Sequence, residues 1–346
     1  MHILVTNDDG PPSDQSSPYV HSLVSNLQAA GHTVSVVLPH TQRSWIGKAH
    51  LVGKPILPTY FRPSPLLTTP SGRLSNTGTT STRPLPENST EEEWILVDST
   101  PASCVQIGLF HYFEKRGNID LVVSGPNYGR NSTAVFSLSS GTIGGAMEAA
   151  VCGVKSIALS YAFFDRNHDP DIIAGASALS VKLIEHLYKN WNADAHLYSV
   201  NVPLVENVAA NKILYTEMLQ NTWRSGSCFQ VLEVPSEADE GAAEVEAAMR
   251  KAEERQGRKE LAGGGGNGEG IDIDSGRDTP TGAGHIRYTH KHFKWAPRFK
   301  DVYQSVEESE PGNDGWAVAQ GCTSVTPLRA NFMHVGGWSG KEINLE

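Results

Sequence analysis

Strand-like apolar runs alternate with amphipathic helical stretches from the second residue onward, and this alternation restricts the fold more than any other feature. "HILVT" is followed by "PYVHSLVSNLQAAGH", where Val20, Leu23, Val24 and Leu27 recur at helical spacing before Gly31, and then by "TVSVVLP". A strand–helix–strand unit of this length implies a right-handed parallel crossover, the first unit of a doubly wound α/β sheet. The pattern resumes with "EWILVDST", the helix "PASCVQIGLFHYFEKRG" with Pro101 suited to its first turn, "IDLVVSG", the helix "GTIGGAMEAAVCG" and the strand "KSIALSYA". "PDIIAGASALSVKLIEHLYKNW" carries an apolar stripe of Ile172, Ile173, Leu179, Leu183, Ile184 and Leu187, and "HLYSVNVP" reads as the last clear strand.

Two stretches break the pattern. Residues 53–92 are rich in Pro, Ser and Thr without a sustained period and read as a surface excursion, partly ordered at best. Residues 236–284 join a charged, helix-forming run with few large apolar residues to "GGGGNGEGIDIDSG", and read as an inserted solvated helix plus a flexible loop. The organisation expected is one domain over 1–346: a core over 1–235, the insertion at 236–284, and a C-terminal hairpin and arm over 285–346. Within the last part, His285, His290 and His292 lie among Arg and Lys without a nearby carboxylate or Cys, so a basic arm fits them better than a metal site. "NDGWAVAQGCTSVTPL" reads as a hairpin-like pair of short strands.

Composition narrows the function classes. A formal charge of −10 excludes a nucleic-acid backbone as the main partner, since that requires clustered Lys and Arg. Small phosphates stay open, because a bound cation can neutralise them locally. Cys104, Cys152, Cys228 and Cys322 show neither CxxC nor zinc spacing and read as free thiols of a reducing compartment. With the first strand starting at residue 2 and no run approaching the ~18 apolar residues of a membrane span, the expectation is a cytoplasmic protein without signal peptide or membrane partner.

In an open parallel sheet, ligands bind beyond the carboxyl ends of the strands. Collected there are Asn7, Asp8, Asp9 and Gly10 after the first strand, Ser44 in "PHTQRSW", Ser99 and Thr100, then Ser124 and Asn127 in "SGPNYGRN", and finally "SLSSGT". The donors near Asp8 and Asp9 are all oxygens, which favours Mg²⁺, Mn²⁺ or Ca²⁺ over Zn²⁺. Ser140, Gly141 and Thr142 open a helix and offer N–H groups, hydroxyls and the positive end of a dipole to an anion. A hard cation facing such a cradle is the arrangement for metal-assisted phosphoester hydrolysis. Neither GxGxxG after the first strand, nor GxxxxGK[ST], nor a GxSxG elbow occurs.

The segments "ILVTNDDG", "VVLPHTQRS", "STPASCVQIG", "LVVSGPNYGRN", "SSGTIGGAMEA" and "SVTPL", in this order, resemble the SurE family of survival-protein phosphatases over residues 1 to about 205, and more weakly over 285–328. The resemblance implies a Rossmann-like core with a C-terminal hairpin and arm exchanged between subunits of a dimer or tetramer. It implies a metal-dependent phosphomonoesterase acting on nucleoside 5′- and 3′-monophosphates, in some members on short polyphosphate, with one divalent cation (Mg²⁺ or Mn²⁺, Ca²⁺ as a crystallographic substitute). The family's metal ligands carry over to Asp8, Asp9, Ser44 and Asn127. Departures are "GPPSDQS" where many members have "GIHAPG", His40 in place of an acid before the ligand serine, Pro126 where Ile is common, and Arg130, a candidate extra phosphate contact. The two insertions suggest a eukaryotic, fungal branch.

On this reading Asp8, Asp9 and Asn127 are the catalytic set, and Ser140, Gly141 and Thr142 grip the phosphate. Asn7 supports the ligands or the phosphate from behind. No general acid is identifiable. An aspartyl-phosphate route through Asp8 is the rival mechanism, although the DxD spacing it needs is interrupted by Gly10. The rival function is a catalytically silent nucleotide-binding or scaffolding module of the same fold, with a nucleotide-sugar transferase behind it.

Overall fold

The computed structural model describes residues 1–70, 72–165, 168–232, 250–251, 291–333, 336, 339 and 341–342. Among these, ten strands form one sheet. Its centre runs, in spatial order, β5 (Trp94–Val97), β2 (Thr33–Pro39), β1 (His2–Thr6), β6 (Leu121–Tyr128), β7 (Ser156–Ala162) and β8 (Leu197–Pro203), all parallel. The chain therefore builds outward from β1 through β2 and β5 on one side, and through β6, β7 and β8 on the other. Strand order reverses between β1 and β6, which places a crevice beyond their carboxyl ends. The register sets Thr6 beside Ser124, so β6 runs on past the end of β1 and carries Asn127 alongside the turn that follows β1.

Alternation along the buried strands feeds two hydrophobic layers. Ile3 and Val5 of β1, with Leu121 and Val123 of β6, pack against α1 (Val20–Ala29) and α5 (Pro170–Lys189). Leu4 and Val122 pack on the opposite side with Cys104 and Val105 of α2 (Pro101–Ile107) and Ala149 of α4 (Gly141–Val151). The helix starts follow local rules: Thr100 and Asp169 cap α2 and α5 ahead of Pro101 and Pro170, and Ser140 Oγ accepts from Ile143 N at 3.1 Å to cap α4. The short α3 (Ala134–Ser139) precedes α4. The doubly wound, mostly parallel sheet is thus as the strand–helix alternation predicts. No helix among the described residues is long and apolar enough to cross a membrane, and the four cysteines are unpaired.

Three segments depart from the sequence reading. Residues 53–92 supply β3 (Thr59–Pro63), antiparallel to β5, and β4 (Gly78–Ser81) outside it. Phe61 is 4% exposed and packs on Trp94 with ring centroids 5.7 Å apart, so one aromatic anchors a stretch whose Pro and Thr content hides it. "NDGWAVA" is not a strand but the helix α6 (Asp314–Ala319), because Asn313 Oδ1 accepts from Trp316 N at 2.8 Å and starts a helical turn. Six residues are too few for a helical period to declare itself. "TSVTPL" then forms β12 (Thr323–Leu328), antiparallel to β8 and with β9 (Ile213–Tyr215) on its far side. A separate ribbon pairs β10 (Phe229–Leu232) with β11 (His292–Trp295), on either side of the charged insertion. His285, His290 and nearly all of 236–284 lie outside the described residues; His292 is exposed in β11.

Candidate active site

The crevice at the β1/β6 switch is assembled by the turn that follows β1. Gly10, at φ +86°, lets the chain reverse, and Asn7 locks the reversal: its Nδ2 donates to Gly10 O at 2.9 Å and Ser17 Oγ at 3.1 Å, while its Oδ1 accepts from Gly10 N at 2.9 Å. Asn7 is wholly buried, and its amide is spent on the turn that carries Asp8 and Asp9, so it supports those acids from behind. The same turn is tied to both neighbouring strand ends. Arg43 N donates to Asp8 O at 2.7 Å, drawing in the loop that carries Ser44, and Tyr128 N donates to Asp9 Oδ2 at 2.7 Å, drawing in the end of β6.

β6 reaches this point through an irregularity between Ser124 and Asn127, where the Gly125–Pro126 peptide is cis. Gly125 sits at φ +129°, and a Cβ there would lie 2.0 Å from Leu159 O, so only glycine fits. The irregularity delivers Asn127 opposite Asp8. One hydroxyl joins them: Thr142 Oγ1 lies 2.7 Å from Asp8 Oδ1 and 3.3 Å from Asn127 Oδ1. The Asn127 amide is held in place by its own Nδ2, which donates to Gly129 O at 2.8 Å.

Thr142 N also donates to Asp8 Oδ2 at 3.2 Å, so the anion held by the start of α4 in this structure is the Asp8 carboxylate. Thr142 thus clamps Asp8 through both its N–H and its hydroxyl. Gly141 allows this approach: a Cβ there would meet Asp8 Cβ and Asp8 Oδ2 at 2.8 Å and Ile46 Cγ2 at 2.9 Å. Ser140 lines the resulting cavity of about 60 Å³, together with Asp8, Ser44, Asn127 and Asn131. Aromatic rings of Trp45, Phe136 and Tyr128 complete its walls. Trp45 in turn stacks on Phe299 at 5.9 Å, so the C-terminal part of the chain buttresses the site.

Asp9 behaves differently from Asp8. Its side chain has no exposed surface and is not among the cavity-lining residues; Arg250, which does line the cavity, donates from Nη2 to Asp9 Oδ1 at 2.8 Å. The guanidinium lies over the Tyr128 ring at 3.9 Å from its centroid. Arg250 belongs to the charged insertion, where nothing in composition or spacing marks one Arg for burial. Asp314 was likewise missed: fully buried, it accepts from Thr133 N and Leu219 N at 2.9 Å each and fixes the loop before α3. Burial raises its carboxyl above the ordinary range against those donors. Arg130, expected near the phosphate, instead packs over the rings of Phe164 and Tyr303 at 5.4 and 5.3 Å, beside a different cavity. His40 Nδ1 lies 3.3 Å from Asp98 Oδ1, an acid that Arg43 also contacts at 2.6 Å.

The donor set suits a hard divalent ion. Asp8 offers a carboxylate, Asn127 an amide oxygen already aimed at the same hydroxyl as Asp8, and Ser44 a hydroxyl in the same cavity wall. Among the described residues no three His, Cys, Asp or Glu side chains cluster.

Residues 3–225 match the family model "Survival protein SurE". The chain is 31% identical over 236 residues to the 5′-nucleotidase SurE of Ruegeria pomeroyi, covering 66% of this chain and 76% of that protein. It is 39% identical over 243 residues to a yeast (Saccharomyces cerevisiae) protein named "Probable tubulin–tyrosine ligase PBY1", covering 64% of this chain but only 31% of that longer protein. The crystal structure of the SurE protein from Aquifex aeolicus superposes with a TM-score of 0.56 at 20% identity, over 96% of this chain and 95% of that one. The family match takes in every cavity-lining residue named above except Arg250. On that match, the chain belongs to the SurE survival-protein family.

Proposed function

We propose that this chain is a divalent-cation-dependent phosphomonoesterase that hydrolyses nucleoside 5′- and 3′-monophosphates. The observation that carries the reading is the convergence of Asp8 and Asn127 on one Thr142 hydroxyl at the sheet's switch point, with Ser44 in the same cavity. The nucleotidase names of bacterial relatives about 30% identical point to the same chemistry. Asp8, Asp9, Ser44 and Asn127 would hold the cation. When bound, it supplies Lewis-acid polarisation of a phosphoryl oxygen and lowers the pKa of a water.

The chain's own groups do the rest. Thr142 fixes the Asp8 carboxylate through its hydroxyl and its N–H, so that a ligand oxygen needs no reorientation when substrate arrives. Asn127 is held by Gly129 in the same sense. Ser140, at the start of α4, lines the cavity in which the phosphate would sit, while the Thr142 N–H of that first turn is given to Asp8. The test is release of phosphate from p-nitrophenyl phosphate and a panel of 5′- and 3′-nucleotides, with and without Mg²⁺, Mn²⁺ and EDTA. Turnover that EDTA and Asp9→Ala both abolish supports the reading. Nucleotide binding without phosphate release would replace it with a sensing module.

A further inference from the structure

We propose that Arg250 is a substrate-phosphate ligand that completes the anion site. The proposal deepens the phosphomonoesterase reading and rests on it for the identity of the anion. Its basis is geometric. Arg250 is 4% exposed and lines the same cavity as Asp8, Ser44, Asn127 and Ser140. The buried Asp9 carboxylate holds it at 2.8 Å, the Tyr128 ring lies under its flat face at 3.9 Å, and Ser16 O lies 3.4 Å from Nη1. A guanidinium fixed from behind by a carboxylate and along one face by an aromatic ring loses little conformational freedom when it meets an anion.

Electrostatics call for a cation at this place. The start of α4, the obvious anion cradle in the sequence, is already engaged by the Asp8 carboxylate through Thr142 N. A phosphate dianion entering beside Asp8 and Asp9 meets two negative charges. A divalent ion offsets those two, and a further positive charge is needed for net attraction. The guanidinium of Arg250 supplies it, and its planar charge suits phosphoryl oxygens better than an ammonium does. Asp9 Oδ1 can keep its bond to Arg250 while accepting a second partner, since a carboxylate oxygen has two acceptor sites. Arg250 lies outside the stretch that matches the family model.

The experiment compares wild type, Arg250→Ala and Arg250→Lys as full-length chains. Affinity for inorganic phosphate is measured by calorimetry with saturating Mg²⁺. KM and kcat are measured for a nucleoside 5′-monophosphate, and Mn²⁺ affinity is read separately by electron paramagnetic resonance. Expected for Arg250→Ala is a 10- to 100-fold loss of phosphate affinity with a parallel rise in KM, the scale of one charge-assisted contact. Mn²⁺ affinity should be kept or rise, since the proposed ligands stay in place and the loss of Arg250 releases Asp9 Oδ1. Arg250→Lys should recover only part of the phosphate affinity, because a point charge lacks the planar guanidinium; should the alanine variant not fold, the lysine variant carries the comparison. Unchanged phosphate affinity overturns the proposal. So does tightened Mn²⁺ binding with phosphate binding unaltered, which would make Arg250 a counter-ion competing for Asp9. A wild type that binds phosphate but hydrolyses nothing sinks the enzymatic reading, while the phosphate titration still decides the role of Arg250.

Discussion

Replacing Gly141 by alanine separates two opposing effects, and the structure says which one wins. Alanine is the better helix former, by up to about 1 kcal/mol in a helix interior and less in a first turn. Gly141 is not in the left-handed region, so the backbone itself accepts a side chain. The new Cβ, however, would lie 2.8 Å from both Cβ and Oδ2 of Asp8 and 2.9 Å from Ile46 Cγ2. Ile46 can rotate away, but Asp8 Cβ is one bond from the backbone of a turn tied to Arg43 and Tyr128. To restore ordinary contact, Asp8 or the start of α4 must retreat by roughly 0.6 Å. Overpacking of this kind costs about 1–3 kcal/mol, which exceeds the propensity gain. The displacement also pulls Asp8 from Thr142, and misplacements near 1 Å cost roughly 100-fold in rate. Gly141→Ala should therefore melt a few degrees lower and lose about 10- to 100-fold in kcat/KM, measured by thermal denaturation and phosphate release. A variant that melts no lower than wild type and turns over normally would refute the close packing of Asp8 on α4.

Asp8→Asn should cost on the order of 100-fold in kcat/KM at limiting metal, with excess Mn²⁺ restoring part of it; a loss that no metal concentration relieves would point to the aspartyl-phosphate route. Phe61→Ala should lower stability by about 3 kcal/mol, because the ring is buried against Trp94; a melting temperature within a degree of wild type would return residues 53–92 to a loose excursion. Glu148 is 3% exposed, and burial alone would raise its carboxyl, but Lys48 Nζ at 2.5 Å and Gln106 Nε2 at 2.6 Å hold it below the ordinary glutamate value. A depressed folded-state value means that its contribution is present above the unfolded value of 4.5 and is lost as pH falls through the folded one. The stability gap between wild type and Glu148→Gln should therefore be constant near neutrality and close below pH 4.5; a gap that widens on acidification reverses the sign.

The sequence carried the parallel core because buried strands and capped helices are written in short, local patterns: "ILVT" before "NDDG", Thr100-Pro101, Asp169-Pro170. Ser44, Asp8, Asn127 and Ser140 were legible for the related reason that strand ends of such a sheet converge, and the cavity does gather these four. What stayed hidden depends on long-range packing. Arg250 meets Asp9 across 241 positions and comes from a run whose composition describes a solvated helix. Residue type alone does not show that the partners of Thr142 and Asn7 are the Asp8 carboxylate and the turn itself. Asp314 looks like any acid after an Asn, and only its burial against Thr133 and Leu219 shows that it shapes the loop beside the site.

Crystals soaked in Mn²⁺ and measured at an X-ray energy above the manganese absorption edge test the centre of this account directly. The prediction is one anomalous peak in the β1/β6 crevice, within coordination distance of oxygens from Asp8, Asp9, Ser44 and Asn127. A peak at some other place, or none while those side chains keep their present positions, would contradict it.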